Sequence, residues 1–403
     1  MMMINKLSDI KDPIDQDLAS LLIDLIELPS FIPDDRSKSK NQNENKVVDY
    51  LEKRIKKNTG FSVEKQRLNY GRYNLIAKKG KPDIVFLGHT DTVAPSENSP
   101  FNQLKGVINQ NKIWGRGSAD MKSGIAAMLQ AVELAKDVDN IWLIFYADEE
   151  YDFLGMKSLV EKYSYIKPKL IVSSDGSDLQ FGHGCRGLIE FRVRFLGISG
   201  HPARGTGNSA IQNGMICLNK LEKFVKEHKH PVMGESSFNI AYVLGGASRP
   251  DSKDKDGHLS VVGQAGNVVS DVLEFVLDIR PAIPDLTPDK IFNFLSEETK
   301  KLALGFEIVE KTHNYGAWYT DIKELKQYQK NGESAISQKI VIDNPGKGGY
   351  IDLQMLWDKV GRPPAFMFGG GKGTTAHAPD EHIEIPDLLK TRDFFLSFLE
   401  SFL

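Results

Sequence analysis

The chain has 403 residues, 40% of them apolar, 9% aromatic and 26% charged, and its net charge is only −3. That size suits about two or three packed domains. The composition excludes a disordered chain, and the near-neutral balance excludes the basic excess that nucleic-acid binding requires. With Cys185 and Cys217 as its cysteines, a disulfide-stapled scaffold is also excluded, and a reducing compartment, the cytoplasm, is expected. No window approaches the roughly 18 uninterrupted apolar residues of a membrane span. Residues 1–17 lack the apolar core of a signal peptide.

Apolar residues at helical spacing predict a helix over 18–28, ended by Pro29. The polar residues 34–45 read as an exposed loop. A second helix is expected over 46–57, with Val47, Val48, Leu51 and Ile55 on one face. Strands follow at 74–78 and 83–88, and the unbroken run Ile84-Val-Phe-Leu87 suits a strand buried on both faces. An Ala-rich helix over 121–135 and buried strands over 140–147 and 168–174 continue the alternation of a layered α/β domain.

From residue 188 the rhythm changes. Ile189, Phe191, Val193 and Phe195 alternate with polar residues, as in a strand with one solvated face. A helix over 208–226, strands over 238–244 and 273–280, a helix over 288–304 and a strand over 306–311 complete a β-α-β-β-α-β order, a ferredoxin-like layout. Helix and strand then alternate again up to a last helix at 386–402. The expected architecture is an α/β domain with a mixed sheet, residues 1–185 and 314–403, interrupted by an inserted α+β domain, residues 186–313.

Acidic residues and histidines fall where the predicted strands end. His89 and Asp91 follow one buried strand, Glu149 and Glu150 the next, and Asp175 the third. Asp120 opens a helix, and His377 lies just past a glycine run, 369–371. In open α/β sheets such loops converge at the carboxyl edge, where ligands bind. A lone histidine after a strand reads as a polar loop residue, but five such groups at successive strand ends read as a divalent-metal site.

The strings Gly88-His-Thr-Asp-Thr-Val93, Gly115-Arg-Gly-Ser-Ala-Asp-Met-Lys122, Ala147-Asp-Glu-Glu150 and Ala376-His-Ala-Pro-Asp-Glu381 resemble those of the two-zinc aminoacylase and exopeptidase family. That family includes acetylornithine deacetylase, succinyl-diaminopimelate desuccinylase, aminoacylase and the glutamate carboxypeptidases. Gly197-Ile-Ser-Gly-His201 and Asp278-Ile-Arg-Pro281 look most like the acetylornithine deacetylase branch. The resemblance implies two divalent ions, zinc with cobalt or manganese as alternatives, and Asp120 bridging them. His89 and Asp175 would complete one shell, Glu150 and His377 the other. Many relatives carry Glu at the position of Asp175, and Asp178 stands close enough to compete for that role.

Glu149 is implied as the general base that activates the metal-bridging water, and Asp91 as the group that fixes the tautomer of His89. His201 would support the oxyanion from the partner protomer, and Arg280 and Asn267 would hold the substrate's carboxylate or polarised carbonyl. The Asp120–Met121 peptide resembles the family's non-proline cis bond. The inserted domain would serve as lid and dimerisation module. The implied activity is hydrolysis of the amide C–N bond of an N-acyl amino acid. A dipeptidase or carboxypeptidase is the alternative, and a non-catalytic peptide- or metal-binding protein the remote one. Membrane and nucleic-acid partners are not expected.

Other motifs read as structural. The glycine run 369–371 with Lys372 lacks the Walker spacing, and reads as a loop that lets backbone approach the substrate. His183-Gly-Cys185 lacks partners at zinc spacing. Cys217 falls in the apolar stripe of a helix, and His228 and His230 sit in a charged helix end.

Overall fold

A computed structural model of the protein describes residues 3–31, 44–135 and 138–402, so most of the polar stretch 34–45 lies outside the described residues. Along the chain, α1 (Pro13–Ile26) and α2 (Glu44–Asn58) precede strands β1 (Ser62–Arg67), β2 (Tyr73–Lys79) and β3 (Ile84–His89). The hairpin β4 (Val107–Asn109) and β5 (Lys112–Trp114) leads into α3 (Lys122–Leu134), β6 (Ile141–Tyr146), α4 (Leu154–Tyr163) and β7 (Leu170–Ser173). Then come β8 (Gly184–Cys185), β9 (Leu188–Leu196), α5 (Ala210–Glu227), β10 (Lys229–His230), β11 (Gly234–Glu235) and β12 (Ser237–Gly246). They are followed by β13 (Val272–Arg280), α6 (Pro288–Lys301), β14 (Gly305–Tyr315) and β15 (Trp318–Tyr319). The chain closes with α7 (Ile322–Ala335), α8 (Leu353–Lys359), β16 (Ala365–Met367), β17 (His382–Glu384) and α9 (Ile385–Phe402).

Two compact units result, one of Met1–His183, Thr320–Asp343 and Met355–Leu403, the other of Gly184–Tyr319 and Asn344–Gln354. In the first, the main sheet among the described residues has the order β1-β2-β6-β3-β7-β16. β6, β3, β7 and β16 run parallel, whereas β1 and β2 are antiparallel additions. The four parallel strands therefore end at the same edge.

Both faces of this sheet are covered. Ile84 and Phe86 of β3 join the large core with α1, α2, α3 and α9, and Phe86 meets Phe395 and Phe398 edge-on. Trp142, out of phase with Ile141 and Leu143, meets Tyr163 of α4 instead. Strands clothed on both sides need unbroken apolar runs, which is why they were legible.

In the second unit β12-β13-β9-β14 form an antiparallel sheet. Ile189, Phe191, Val193 and Phe195 pack with Cys217, Leu218 and Leu221 of α5 and with Leu295 of α6. The other face carries Arg192 and Arg194, both bonded to Glu274 of β13. The order β9-α5-β12-β13-α6-β14 is the one the alternating pattern predicts. Strand β14 runs past the expected 306–311, because irregularities between Ile308 and Glu310 and between Lys311 and His313 break its alternation. Among the described residues, no helix is long and apolar enough to cross a membrane.

Candidate metal centre and active site

The loops that follow the parallel strands bring their polar side chains together. β3 ends in His89 and runs on to Asp91, β6 is followed by Asp148-Glu-Glu150, β7 by Asp175, and β16 by the loop that carries His377. Asp120 stands just before α3, and the Asp120–Met121 peptide is cis. Three overlapping groups form: His89 with Asp120 and Asp175, Asp120 with Glu150 and His377, and His89 with Glu149 and Glu150. In each, one donor atom per residue lies within 4.8 Å of the others. Asp175 joins the cluster; among the described residues Asp178 belongs to none of these groups.

Asp120 faces two histidines, with Oδ1 2.9 Å from His89 Nε2 and Oδ2 3.3 Å from His377 Nε2. Two oxygens of one carboxylate aimed at two imidazoles is the arrangement a bridge between two cations needs. Glu150 Oε1 lies 2.9 Å from the same His377 nitrogen. Imidazole nitrogen and carboxylate oxygen are the donor set of divalent transition metals. The residues present fit a metal pair.

Asp91 meets His89 with both its main-chain oxygen and its carboxylate. His89 Nδ1 donates to the main-chain oxygen of Asp91 at 3.1 Å, while the Asp91 carboxylate stands 3.6 Å away. The main chain thus directs Nε2 towards Asp120. The Asp91 carboxylate accepts the N–H groups of Glu149 and Glu150, each at 3.0 Å, and so holds the acidic turn.

The glycine run packs closely against the neighbouring loops. A Cβ on Gly371 would stand 1.9 Å from the oxygen of Ala119, and one on Gly369 would stand 2.5 Å from that of Asp175. The glycines let the loops that carry Asp120, Asp175 and His377 pack main chain against main chain.

Burial and the neighbouring charges shift the pKa values of the cluster's own groups. Burial, reinforced by the charge of Asp120, pushes the Asp175 carboxyl up to about 7. Burial raises Glu150 as well. Hydrogen bonds to Asp120 and Glu150 push His377 up to about 10. Burial opposes a charged His89, but its bonds to Asp120 and Asp91 outweigh burial and hold its pKa well above the ordinary value. Burial likewise opposes ionisation of Asp120, yet His377 and His89 hold that carboxyl well below its usual range.

Several supporting residues were not singled out from sequence. Glu381 Oε1 accepts the N–H groups of Gly117, Ala119 and Asp120 at 2.9, 2.9 and 3.2 Å. Its Oε2 receives Arg116 Nη1 at 2.5 Å, and both side chains are buried. Lys122 Nζ donates to the carbonyls of Leu25 and Leu28, both at 2.9 Å, tying the start of α3 to the end of α1. Arg116, Lys122 and Glu381 stand inside the quoted motifs. A charged residue in a motif reads as ligand or surface until its burial is known.

The remaining predicted residues belong to the second unit. His201 precedes the turn Pro202–Arg204, is exposed, and donates its N–H to Thr206 Oγ1 at 2.9 Å. Asn267 lies exposed in the loop before β13. Arg280 ends β13 and forks onto Asp278, with Nε–Oδ1 at 2.7 Å and Nη2–Oδ2 at 2.8 Å. In the first unit, His183 is buried and donates from Nδ1 to the Thr320 oxygen at 2.8 Å, a structural role. Cys185 and Cys217 are buried thiols.

Comparison with known proteins adds to this geometry. The model of "Peptidase family M20/M25/M40" matches residues 85–401. An acetylornithine deacetylase of Buchnera aphidicola subsp. Acyrthosiphon pisum is 23% identical over 394 residues, which cover 94% of this chain and 96% of that protein. Aminopeptidase PepT of Bacillus cereus superposes with a TM-score of 0.68 at 19% identity, covering 96% of this chain and 98% of its own. The Bacillus subtilis YXEP protein, a dinuclear metal binding peptidase, superposes with a TM-score of 0.63 at 12% identity over 96% and 97% of the two chains.

Proposed function

Since the chain belongs to peptidase family M20/M25/M40 and is a hydrolase of that family, we propose that it is a two-metal deacylase of N-acyl amino acids, of the acetylornithine deacetylase kind. The observation that carries the two-metal reading is the position of Asp120, shared between a group with His89 and Asp175 and a group with Glu150 and His377. The substrate class is supported by the match to an acetylornithine deacetylase over 94% of this chain and 96% of that one. Zinc is the proposed metal, with cobalt or manganese as alternatives for the same donors.

Ions held by His89, Asp120, Asp175, Glu150 and His377 would supply Lewis acidity to the scissile carbonyl. The chain's own groups do the rest. Glu149 takes a proton from the attacking water as its oxygen bonds to the carbonyl carbon. It returns that proton to the amine nitrogen as the C–N bond breaks, leaving a carboxylic acid and an amine, between which the acid's proton then passes to give carboxylate and ammonium. His201 supports the oxyanion, and Arg280 and Asn267 hold the substrate's own carboxylate. These second-unit roles rest on the likeness of 197–201 and 278–281 to the deacetylase branch. The same reading assigns 186–313 as a lid and dimerisation module, with catalysis by a cytoplasmic homodimer.

A dipeptidase or carboxypeptidase is the second reading, supported by the match to a family described as a peptidase family. The test is amine release by metal-loaded protein from N-acetyl and N-succinyl amino acids beside dipeptides. Glu149→Ala is expected to abolish turnover and leave the metal content unchanged. Release from dipeptides alone would overturn the substrate class; loss of metal in Glu149→Ala would overturn the assignment of the base.

A further inference from the structure

The turn after β6 carries Glu149 and Glu150, but much of what holds it lies outside every motif read from the sequence. Four consecutive main-chain N–H groups each meet a side-chain oxygen. Ala147 donates to Asn74 Oδ1 at 3.1 Å and Asp148 to Glu44 Oε1 at 3.2 Å. Glu149 and Glu150 donate to the two oxygens of Asp91, as described above. Arg72 fixes the far end of this cradle. Its Nε and Nη2 donate to Glu44 Oε2 and Oε1 at 2.5 and 2.8 Å, and its Nη1 donates to Asp148 Oδ1 at 2.8 Å. The second oxygen of Asp148 accepts the N–H of Leu154 at 3.1 Å.

Asp148 at φ 69° and Phe153 at φ 59° occupy the left-handed region that L side chains rarely adopt. Such conformations persist where the surroundings over-determine them. The surroundings here are almost dry: Asn74, Glu44, Arg72 and Asp148 expose 0%, 3%, 6% and 1% of their surface. A buried ion pair contributes little net stability, since a well-packed apolar replacement is often neutral or better. A planar guanidinium between two carboxylates does give fixed geometry, because its donors are rigidly spaced.

We propose that Glu44 and Arg72 are positioning residues. Their buried fork sets the height and direction of the 147–150 turn, so that Glu149 stands where the water's proton is transferred and Glu150 where it joins Asp120 and His377. This rests on the reading of Glu149 as the proton-transfer group. A misplacement of about 1 Å at such a group costs on the order of 100-fold in rate.

The experiment compares metal-loaded wild type with Glu44→Ala, Glu44→Gln and Arg72→Lys, with Glu149→Ala as reference, reading kcat, KM and metal per chain. Glu44→Ala removes the acceptor for the Asp148 N–H; kcat should fall about 10- to 100-fold, with KM within about twofold and the metal content unchanged. Glu44→Gln keeps a carbonyl oxygen there and should recover most of the loss. Arg72→Lys cannot span both carboxylates and should fall as Glu44→Ala does. Wild-type kcat in folded Glu44→Ala overturns the proposal, as does a joint loss of kcat, KM and metal that Glu44→Gln leaves uncorrected. Should Glu44→Ala not fold, Arg72→Lys carries the same comparison. If neither folds, the fork is a folding element and the proposal falls. Wild-type turnover by Glu149→Ala would instead remove the assignment of the base, a result independent of the fork.

Discussion

Replacing Glu381 by Ala should loosen the metal centre without touching a metal-facing atom. The Glu381 carboxylate receives four donors, the Arg116 guanidinium and the N–H groups of Gly117, Ala119 and Asp120. It thereby joins the loop of Asp120 to the loop of His377. Truncation leaves the Arg116 guanidinium, 2% exposed, without its carboxylate; breaking a buried pair costs about 3–5 kcal/mol. Each N–H left dry adds about 1–3 kcal/mol, but water entering the vacated space offsets much of that. A loss of about 4 kcal/mol is expected, a large share of the roughly 5–15 kcal/mol that holds a domain. Glu381→Gln keeps one carbonyl acceptor and should lose about half as much. Denaturant unfolding of the metal-free proteins measures the loss, and metal per chain after dialysis measures its effect on Asp120. An unfolding midpoint equal to wild type, with both metals retained, would refute the claim that this carboxylate holds the loop.

Two further outcomes follow from the same geometry. The pKa of His377, about 10 in the metal-free cluster, lies above the ordinary value of about 6.5, so its stabilising effect on the metal-free fold is full below about pH 6.5 and lost as pH rises through about 10. Metal competes with that proton, so apparent affinity should rise about tenfold per pH unit for each proton displaced, measured by titration calorimetry in buffers of differing ionisation heat; affinity flat with pH would contradict it. Gly371→Ala would place a Cβ 1.9 Å from the Ala119 oxygen, and main chain there can yield only by moving Asp120. It should cost about 1–3 kcal/mol and lower the retained metal, and full retention would show that the loops have room.

The parallel strands were legible because burial on both faces writes itself as an unbroken apolar run, as in Ile84-Val-Phe-Leu87. The candidate site was legible because its residues follow those strands directly. The edge strand β1, Ser-Val-Glu-Lys-Gln-Arg, buries just Gln66 and carries no such signal. Helix α7 buries Leu325 and Gly332, too thin a stripe to read as a helix. The supporting shell was illegible for a different reason: Arg116 and Glu381 are 265 residues apart, and Glu44 and Arg72 are 28 apart. No local period records such pairings. Asp91 was found from its spacing, but its acceptor role towards the Glu149–Glu150 turn needed the third dimension.

The buried and half-buried carboxylates around the site divide by what fills their oxygens. Asp91, Glu44, Asp148 and Glu381 are occupied by main-chain N–H groups and by Arg72 or Arg116. Asp120 and Glu150 face histidines, and Asp175 takes the N–H of Gly176 at 2.6 Å. The first set is filled by the chain's own donors and aligns the loops, while the second faces histidines and other carboxylates; burial raises Glu44, Asp148 and Glu381 of the first as it raises Asp175 and Glu150 of the second. The loops are therefore aligned by the chain's own donors, and bound cations would add charge compensation to the second set. Chelation should then empty the centre while the α/β core stays folded, unlike a small zinc domain whose metal supplies its folding energy. The expected result is an unchanged far-ultraviolet circular dichroism spectrum after metal removal, a lower unfolding midpoint, and full recovery of activity when metal is returned. Loss of the native spectrum on chelation would mean that the metals, and not Glu381, Asp91 and the Glu44–Arg72 fork, build the site.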